Sequence, residues 1–227
     1  MTGAGDERVI WGQGGVPASD LYGDPYFSLQ NGLSETRHVF LAGNDLPARF
    51  RDGFQIAETG FGTGLNLLAA ALAWGAGQGR LRFTSFEAHP MSVTDMERAL
   101  ALFSETAPLA PALLDSWSRG LRRFPLGAVD VEVITGDART TLPAWRGQAD
   151  AWFLDGFSPA KNPDLWSPGI LEAIARHTAP GGTFATYTAA GHVRRGLQAA
   201  GFQVERRPGY GTKRHMSAGR LPDTAGT

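Results

Sequence analysis

An α/β fold with a mainly parallel sheet is predicted by three observations. The first is the stretch Phe54-Gln55-Ile56-Ala57-Glu58-Thr59-Gly60-Phe61-Gly62-Thr63-Gly64-Leu65, an apolar run with an acid near its end that breaks into glycines at every second position. The second is the helix-forming and almost wholly apolar segment 65–74 that follows at once. Strand, tight turn and buried helix together make the opening unit of an α/β nucleotide-binding fold. The third is recurrence. Segments 81–87, 131–134 and 151–154 are short strand-like runs that end at or near an acid, with helix-forming stretches between them.

Length and composition frame this reading. A chain of 227 residues is one large domain, or one domain with an extension. Here the extension is residues 1–50, the core domain 51–221 and a short tail 222–227. A hydrophobic content of 42% is normal for a soluble protein, and no apolar stretch reaches the length of a membrane span. Residues 1–7 lack the basic and apolar regions of a signal peptide. Without cysteine there are no disulfides or thiolate metal sites, and the cytoplasm is the default location. The five histidines are scattered without metal-ligand spacing, so no metal is expected. A net charge of −1 gives no global pull towards nucleic acid, so any such binding must rest on a local patch.

In the extension, 9–11 reads as a short strand, and Gly23-Asp24-Pro25 and Asn31-Gly32 as turns. Tyr26-Phe27-Ser28 lies between the turns, where its aromatics fasten the segment onto the core. Ser34 is expected to cap a helix carrying Glu35 in its first turn. Such an arm is well placed to cover a cofactor pocket or to shape a substrate entrance.

The glycine turn decides what kind of ligand to expect. The dinucleotide fingerprint wants glycines at the first, third and sixth positions, but counting from Gly60 the sixth is Leu65 and the fifth is Gly64. Gly64 is followed by Leu65 and Asn66, so a phosphate-cradling loop ending in Gly-Lys-Ser/Thr is absent as well. Glu58 would repel phosphate and suits a ligand with a positive end. S-adenosylmethionine, with its ammonium and sulfonium, fits. A plain turn with a capping acid is an equal reading of this motif alone.

Later segments break the tie. The strand over 81–87 ends in Glu87, roughly twenty residues beyond the glycine turn, where an acid can bond both ribose hydroxyls. A helix is expected from near Ser92, with Asp95 in the capping-box position, and another over 110–124, with Arg119, Arg122 and Arg123 on a basic edge. Strand 131–134 leads to Asp137, which can accept from an adenine amine or simply shape a turn. Open α/β sheets bind ligands outside the carboxyl ends of their strands, so acids at three such ends support one another.

Segment 150–166 is the most informative. Strand 151–154 ends in Asp155, and a loop then carries Phe157, Pro159 and Lys161, one of two lysines in the chain. Enzymes that methylate nucleobase amines often place a polar residue, a proline and an aromatic after this strand. Asp155 can accept hydrogen bonds from a nucleophilic amine, and Phe157 can pack on a base. Lys161 can contact phosphate or pin the loop. Beyond it, a helix over 168–177, a stop and turn at Pro180-Gly181-Gly182, a strand over 183–188 and a helix over 189–200 follow. Strands over 202–206 and 215–219 then pair antiparallel and complete a sheet of seven. From Thr188 to Leu221, seven basic residues face only Glu205, a local positive surface able to hold nucleic-acid phosphates.

On these residues the chain resembles the methyltransferases of the tRNA 5-methylaminomethyl-2-thiouridine pathway, which occur alone or as half of a bifunctional protein. The resemblance lies in 58–66, 150–166, 183–191, 193–197 and 209–214, and also in Tyr26-Phe27-Ser28 and 31–41, so it covers nearly the whole chain. Segment 155–166 is specific to the family. The resemblance implies a class I S-adenosylmethionine-dependent methyltransferase, Rossmann-like with a seven-stranded sheet. It implies methyl transfer to the amine of 5-aminomethyl-2-thiouridine at the wobble position, with the tRNA anticodon loop as partner. Candidate cofactor contacts are Glu58, Gly60, Phe61, Gly62, Thr63, Gly64, Asn66, Glu87, Asp137 and Asp155. Asp155 and Phe157 are the candidate catalytic residues. Phe157, Pro159, Lys161, Tyr187, Arg194, Arg195, Lys213 and Arg214 are candidates for tRNA, with Phe157 and Tyr187 stacking on the uracil because RNA bases are read unstacked. The chain ends soon after Leu221, which leaves no room for a flavin-dependent oxidoreductase. Methylation alone is therefore expected, on a substrate made by another route, and a separate oxidoreductase partner is left open. Residues 217–220 look like the family's last strand with changed side chains.

An alkylamine is largely protonated near neutral pH and must lose a proton before attack. Asp155 is expected to orient it and to accept or relay that proton, although a carboxylate also stabilises the ammonium form. Two other readings stand beside this one: a methyltransferase acting on another amine, and a non-catalytic S-adenosylmethionine-binding module. The glycine spacing disfavours a nicotinamide oxidoreductase.

Overall fold

The computed structural model describes residues 8–28, 31–75 and 79–223, with Gln13 described in its backbone only. The readings made on residues 1–7 and on the end of the tail, 224–227, lie outside the described residues. In chain order, β1 (Val9–Trp11) and β2 (Pro17–Ser19) pair antiparallel as a small separate ribbon. Helix α1 (Gly32–Thr36) runs on through a π-helical turn at Arg37–Leu41. The core follows as β3 (Gln55–Thr59), α2 (Leu65–Trp74), β4 (Leu81–Glu87), α3 (Val93–Leu100), α4 (Ala110–Ser118), β5 (Arg123–Leu126), β6 (Val129–Thr135) and α5 (Ala138–Ala144). It is completed by β7 (Ala149–Leu154), α6 (Pro168–Arg176), β8 (Thr178–Thr186), α7 (Gly191–Ala199), β9 (Gln203–Pro208) and β10 (His215–Arg220).

The main sheet has the order β5-β6-β4-β3-β7-β8-β10-β9. Strands β6, β4, β3, β7 and β8 are parallel, while β5 and the β9–β10 pair are antiparallel. The chain starts in the middle at β3, builds outward through β4 and β6, then returns to the other side of β3 with β7. The carboxyl ends of β3 and β7 therefore flank the point where the winding reverses, and a crevice opens there.

Burial follows the pleat, because successive strand side chains point to opposite faces. In β7, Ala151 and Phe153 join the core beneath α1, α2 and α4, whereas Trp152 and Leu154 join the one beneath α5, α6 and α7. Helix α2 is apolar nearly all round because the sheet lies on one side and the N-terminal helix on the other. Among the described residues no helix is long and apolar enough to cross a membrane.

Three details differ from the sequence reading. The helix expected over 110–124 ends at Ser118, where Gly120 takes a φ of 71° and turns the chain. Phe124 and Leu126 are then buried alternately in edge strand β5, so the main sheet has eight strands among the described residues instead of seven. Asn31, not Ser34, caps α1: its side chain accepts from the Ser34 amide. Strand β8 starts at Thr178, ahead of the expected 183. Ala149 pairs with Thr178 and Ala151 with Thr183, so Pro180-Gly181-Gly182 is looped out within the strand. The Ser92 cap with Asp95 forms as expected.

Candidate active site

A cavity of about 790 Å³ opens at the carboxyl ends of the central strands. Its floor is the glycine turn. Gly60 has a φ of 84°, and a Cβ there would lie 3.3 Å from the Gly156 Cα, because the turns after β3 and β7 touch backbone to backbone. Gly64, at a φ of 78°, leads into α2, and a Cβ there would meet Leu113 at 2.9 Å. Both positions require glycine. Phe61 and Thr63 line the cavity beside Gly60 and Gly62, and Phe61 stacks on Trp117 at 4.9 Å.

Three carboxylates meet around this turn. Glu87 ends β4 and accepts from the Gly62 amide at 2.9 Å and the His89 amide at 2.7 Å, which fixes it at the cavity wall. Glu58 is fully buried beneath the turn and does not line the cavity. It accepts from Asn66 Nδ2 at 2.8 Å and from Ser85 Oγ at 2.7 Å. Burial pushes its carboxyl well above the usual carboxylate range despite those two donors. Asp155 faces the cavity from the end of β7.

Asn66, the buried polar residue in the first turn of α2, ties these acids together. Its Nδ2 also donates to Asp155 Oδ2 at 2.7 Å, and its Oδ1 accepts from Thr36 Oγ1 at 2.7 Å. Asp155 Oδ1 accepts from the Gly156 amide at 2.8 Å, and Thr59 Oγ1 donates to the Asp155 carbonyl. Burial raises the Asp155 carboxyl from 3.8 to about 6, with the Gly156 and Asn66 donors opposing the rise. At neutral pH it is therefore ionised, yet close enough to its midpoint to exchange a proton.

The loop after Asp155 is clamped by the N-terminal arm. Asp24 accepts from the Ser158 amide at 2.8 Å. Tyr22 stacks on Phe157 with ring centroids 4.6 Å apart, and Tyr26 meets the same ring edge-on at 5.1 Å. Trp166 donates to the Phe157 carbonyl from the other side. The Tyr187 hydroxyl donates to the Gly156 carbonyl at 2.8 Å, and burial raises that phenol. At the far wall Asp137 caps α5, accepting from the Arg139 amide, and the Arg139 guanidinium holds it below the usual carboxylate range. Arg139 also pairs with Asp164 at 2.8 Å.

Of the sequence candidates, Gly60, Phe61, Gly62, Thr63, Asn66, Glu87, Asp137, Asp155, Phe157, Tyr187 and Lys213 come together around this cavity. Glu58 and Gly64 lie behind its wall. Pro159 is buried within the loop, and Lys161 is exposed, with Nζ near Gly23. Arg194 and Arg195 on α7, and Arg214 just before β10, do not line the cavity. Sequence reasoning passed over Tyr22, Asp24 and Arg139 as site residues and read Glu35 only as a helix-start acid. The arm's aromatics gave a weak signal, whereas partners brought from distant parts of the chain gave none.

The donor set fits S-adenosylmethionine. The acids of the cavity outnumber its cations, and Arg139 and Lys213 are both already paired with acids. That balance suits a cationic ligand and opposes a polyphosphate. A family model described as S-adenosyl-L-methionine-dependent methyltransferase matches residues 104–222, just over half of the chain. The chain belongs to this methyltransferase family. Among its relatives is the tRNA 5-methylaminomethyl-2-thiouridine biosynthesis bifunctional protein MnmC of Caulobacter sp. (strain K31), 49% identical over 96% of this chain and 39% of that protein. The protein of the same name from Stutzerimonas stutzeri (strain A1501) is 47% identical over 94% of this chain and 34% of its own length. The chain thus spans less than two-fifths of these curated relatives. The crystal structure of MNMC2 from Aquifex aeolicus superposes with a TM-score of 0.76 at 25% identity, covering 97% of this chain and 72% of that one. Spermidine synthase from Thermotoga maritima, 11% identical over 95% of this chain and 68% of its own, shares the methyltransferase's fold with a TM-score of 0.59. Among the described residues no group of three or more His, Asp or Glu side chains is placed to hold a metal ion.

Proposed function

We propose that the chain transfers a methyl group from S-adenosylmethionine to the amine of 5-aminomethyl-2-thiouridine at the wobble position of tRNA, giving 5-methylaminomethyl-2-thiouridine. The observation that carries this reading is the Asp155 carboxylate, held by Asn66 and Gly156 at the end of β7 and walled by Phe157 and Tyr187. The names of the curated relatives supply the substrate class, and cytoplasmic work on tRNA goes with it.

Glu87 and the backbone of the glycine turn are the residues that would hold S-adenosylmethionine, with Asp137 and Arg139 at the adenine end. When bound, it supplies an electrophilic methyl group on a sulfonium that leaves as a thioether. The protein's own task is alignment, since a positioned nucleophile gains most of its rate from orientation. Asp155 accepts from the amine's N–H groups and fixes the direction of its lone pair. Its carboxylate, with a midpoint of about 6, is also the nearest base for the proton that the amine must release. Phe157, braced from behind by Tyr22, offers a ring face to the base. The basic residues of the last third, Arg194, Arg195 and Arg214 among them, lie outside the cavity and suit tRNA phosphates, where sequence-independent contacts set register.

Nucleoside mass analysis tests the reading. After incubation with the chain and S-adenosylmethionine, 5-aminomethyl-2-thiouridine in tRNA should gain the mass of one methylene. A gain on free small amines with none on tRNA would overturn it.

A further inference from the structure

The cavity wall beside Asp155 carries a charged group to which the mechanism above gives no role. Glu35 stands in the first turn of α1 with its side chain only 10% exposed. Its Oε1 accepts from Lys213 Nζ at 2.8 Å, although the two residues lie 178 apart in the chain. The same Nζ sits 4.2 Å from the centre of the Tyr187 ring. Tyr187 in turn is bonded to the Gly156 carbonyl, next to Asp155. Glu35, Lys213, Tyr187 and Asp155 all line the one cavity. A carboxylate on one side and an aromatic face on another hold an ammonium in place. Lys213 is thus set apart from Arg194, Arg195 and Arg214, which do not line the cavity.

Resting on the reading that the acceptor is an alkylamine, we propose that Lys213, fixed by Glu35 and Tyr187, keeps that amine in its neutral, nucleophilic form by placing a cation beside the position where Asp155 holds it. An alkylammonium ordinarily releases its proton only near the lysine value, and the Asp155 carboxylate by itself would strengthen that hold. A like charge nearby works the other way, favouring loss of the N–H proton to Asp155 or water and leaving the lone pair free. Glu35 positions Lys213 and also cancels part of its field. At Asp155 itself the two act with opposite signs: Lys213 lowers its titration and Glu35 raises it.

Most of the other ionisable groups around this cavity are acids; Arg139 and His89 line it too, with Arg139 already paired to Asp137 and Asp164. Glu87 stands at the end of β4 and Asp24 on the arm, and both carboxylates favour the protonated amine, whereas Glu58 lies behind Asn66 with its carboxyl pushed up by burial towards the neutral form. On Lys213's own loop, Tyr210 packs near His38, and Arg214 and His215 follow in the chain. None of these side chains is altered in the Lys213 and Glu35 variants, and Asp155, whose titration both residues influence, is followed separately.

The test uses single-turnover methyl transfer to tRNA bearing 5-aminomethyl-2-thiouridine, with enzyme saturating, from pH 6 to pH 10. Wild type, Lys213→Met and Glu35→Gln are compared. Lys213 is 43% exposed on its side chain, so a methionine fits there without repacking. In Lys213→Met the acid limb of the rate should rise by about one pH unit, a shift expected of one charge at close range. The rate near pH 7 then falls about tenfold and is regained by about pH 9. In Glu35→Gln the limb should move down. Opposite shifts support the proposal. An unmoved limb, shifts in the same direction, or a tRNA KM raised equally at every pH, as a phosphate contact would give, overturns it. A second readout needs no substrate: the Asp155 carboxyl titration followed by carbon-13 NMR should rise in Lys213→Met and fall in Glu35→Gln. If wild type transfers nothing to this tRNA, the substrate reading fails on its own. The NMR shift still decides whether Lys213 sets the field at Asp155, and an unmoved titration overturns that.

Discussion

Replacing Asp155 with asparagine separates the stability of this site from its chemistry. The folded carboxyl titrates near 6 and an ordinary aspartate near 3.8. A folded value raised above the unfolded one means that the folded state keeps its proton where the unfolded chain has lost it. Stability from this group is therefore full below the unfolded value and is lost as pH rises through about 6. The whole loss is about 3 kcal/mol, of which roughly 2 kcal/mol falls between pH 4 and pH 8. Asparagine does not titrate and escapes that loss. It carries a constant cost instead: Asn66 Nδ2 points at Oδ2, and Thr36 holds Asn66 Oδ1, so the new amide sets a donor against a donor. That mismatch costs about 1–3 kcal/mol. Removing the charge also relieves Glu58, whose carboxyl is raised in part by Asp155, which adds to the trend. Urea unfolding of wild type and Asp155→Asn from pH 4 to pH 8 should show the variant weaker in acid and gaining about 2 kcal/mol on wild type by pH 8. A difference that stays flat with pH would refute the raised carboxyl. Methyl transfer by the same variant should fall sharply, and full activity at every pH would remove Asp155 from the mechanism.

Two further substitutions probe the floor and the clamp. Gly64→Ala forces a side chain into a left-handed backbone and against Leu113; it should cost about 2 kcal/mol in urea unfolding, and calorimetry should show weaker S-adenosylmethionine binding. Unchanged stability would mean that the turn tolerates a Cβ. Tyr22→Ala removes the ring stacked on Phe157. An aromatic pair contributes about 0.5–1.5 kcal/mol, so the KM for tRNA should rise roughly two- to tenfold while cofactor affinity holds. A fall in cofactor affinity with no change in tRNA KM would place Tyr22 on the wrong side of the cavity.

The sequence was most legible where function is written in local spacing. The glycine turn, Glu87 at its strand end, and Asp155 before a loop of Phe157 and Pro159 each stand next to the strand that presents them, so period and spacing found them. Glu58 was legible as an acid, but its burial was not: an inward-facing strand residue looks the same whether it meets a ligand or Asn66 and Ser85. The eighth strand was missed because 121–124 continues a helical run in composition, while the turn at Gly120 and Pro125 inside the strand break it. The pairing of Glu35 with Lys213 and the stacking of Tyr22 on Phe157 join residues far apart in the chain. Such contacts depend on how the arm folds over the sheet, which periodicity does not encode. The basic residues of the last third looked alike in sequence and Lys213 and Arg214 are both exposed, yet only Lys213 lines the cavity.

Methyl transfer from labelled S-adenosylmethionine to two tRNAs tests the account at its centre. One carries 5-aminomethyl-2-thiouridine at the wobble position, and the other carries its carboxymethylaminomethyl counterpart. Label on the first and none on the second is the result the proposed function predicts. Cofactor binding without transfer to either tRNA would contradict the account and point to a different amine as the acceptor.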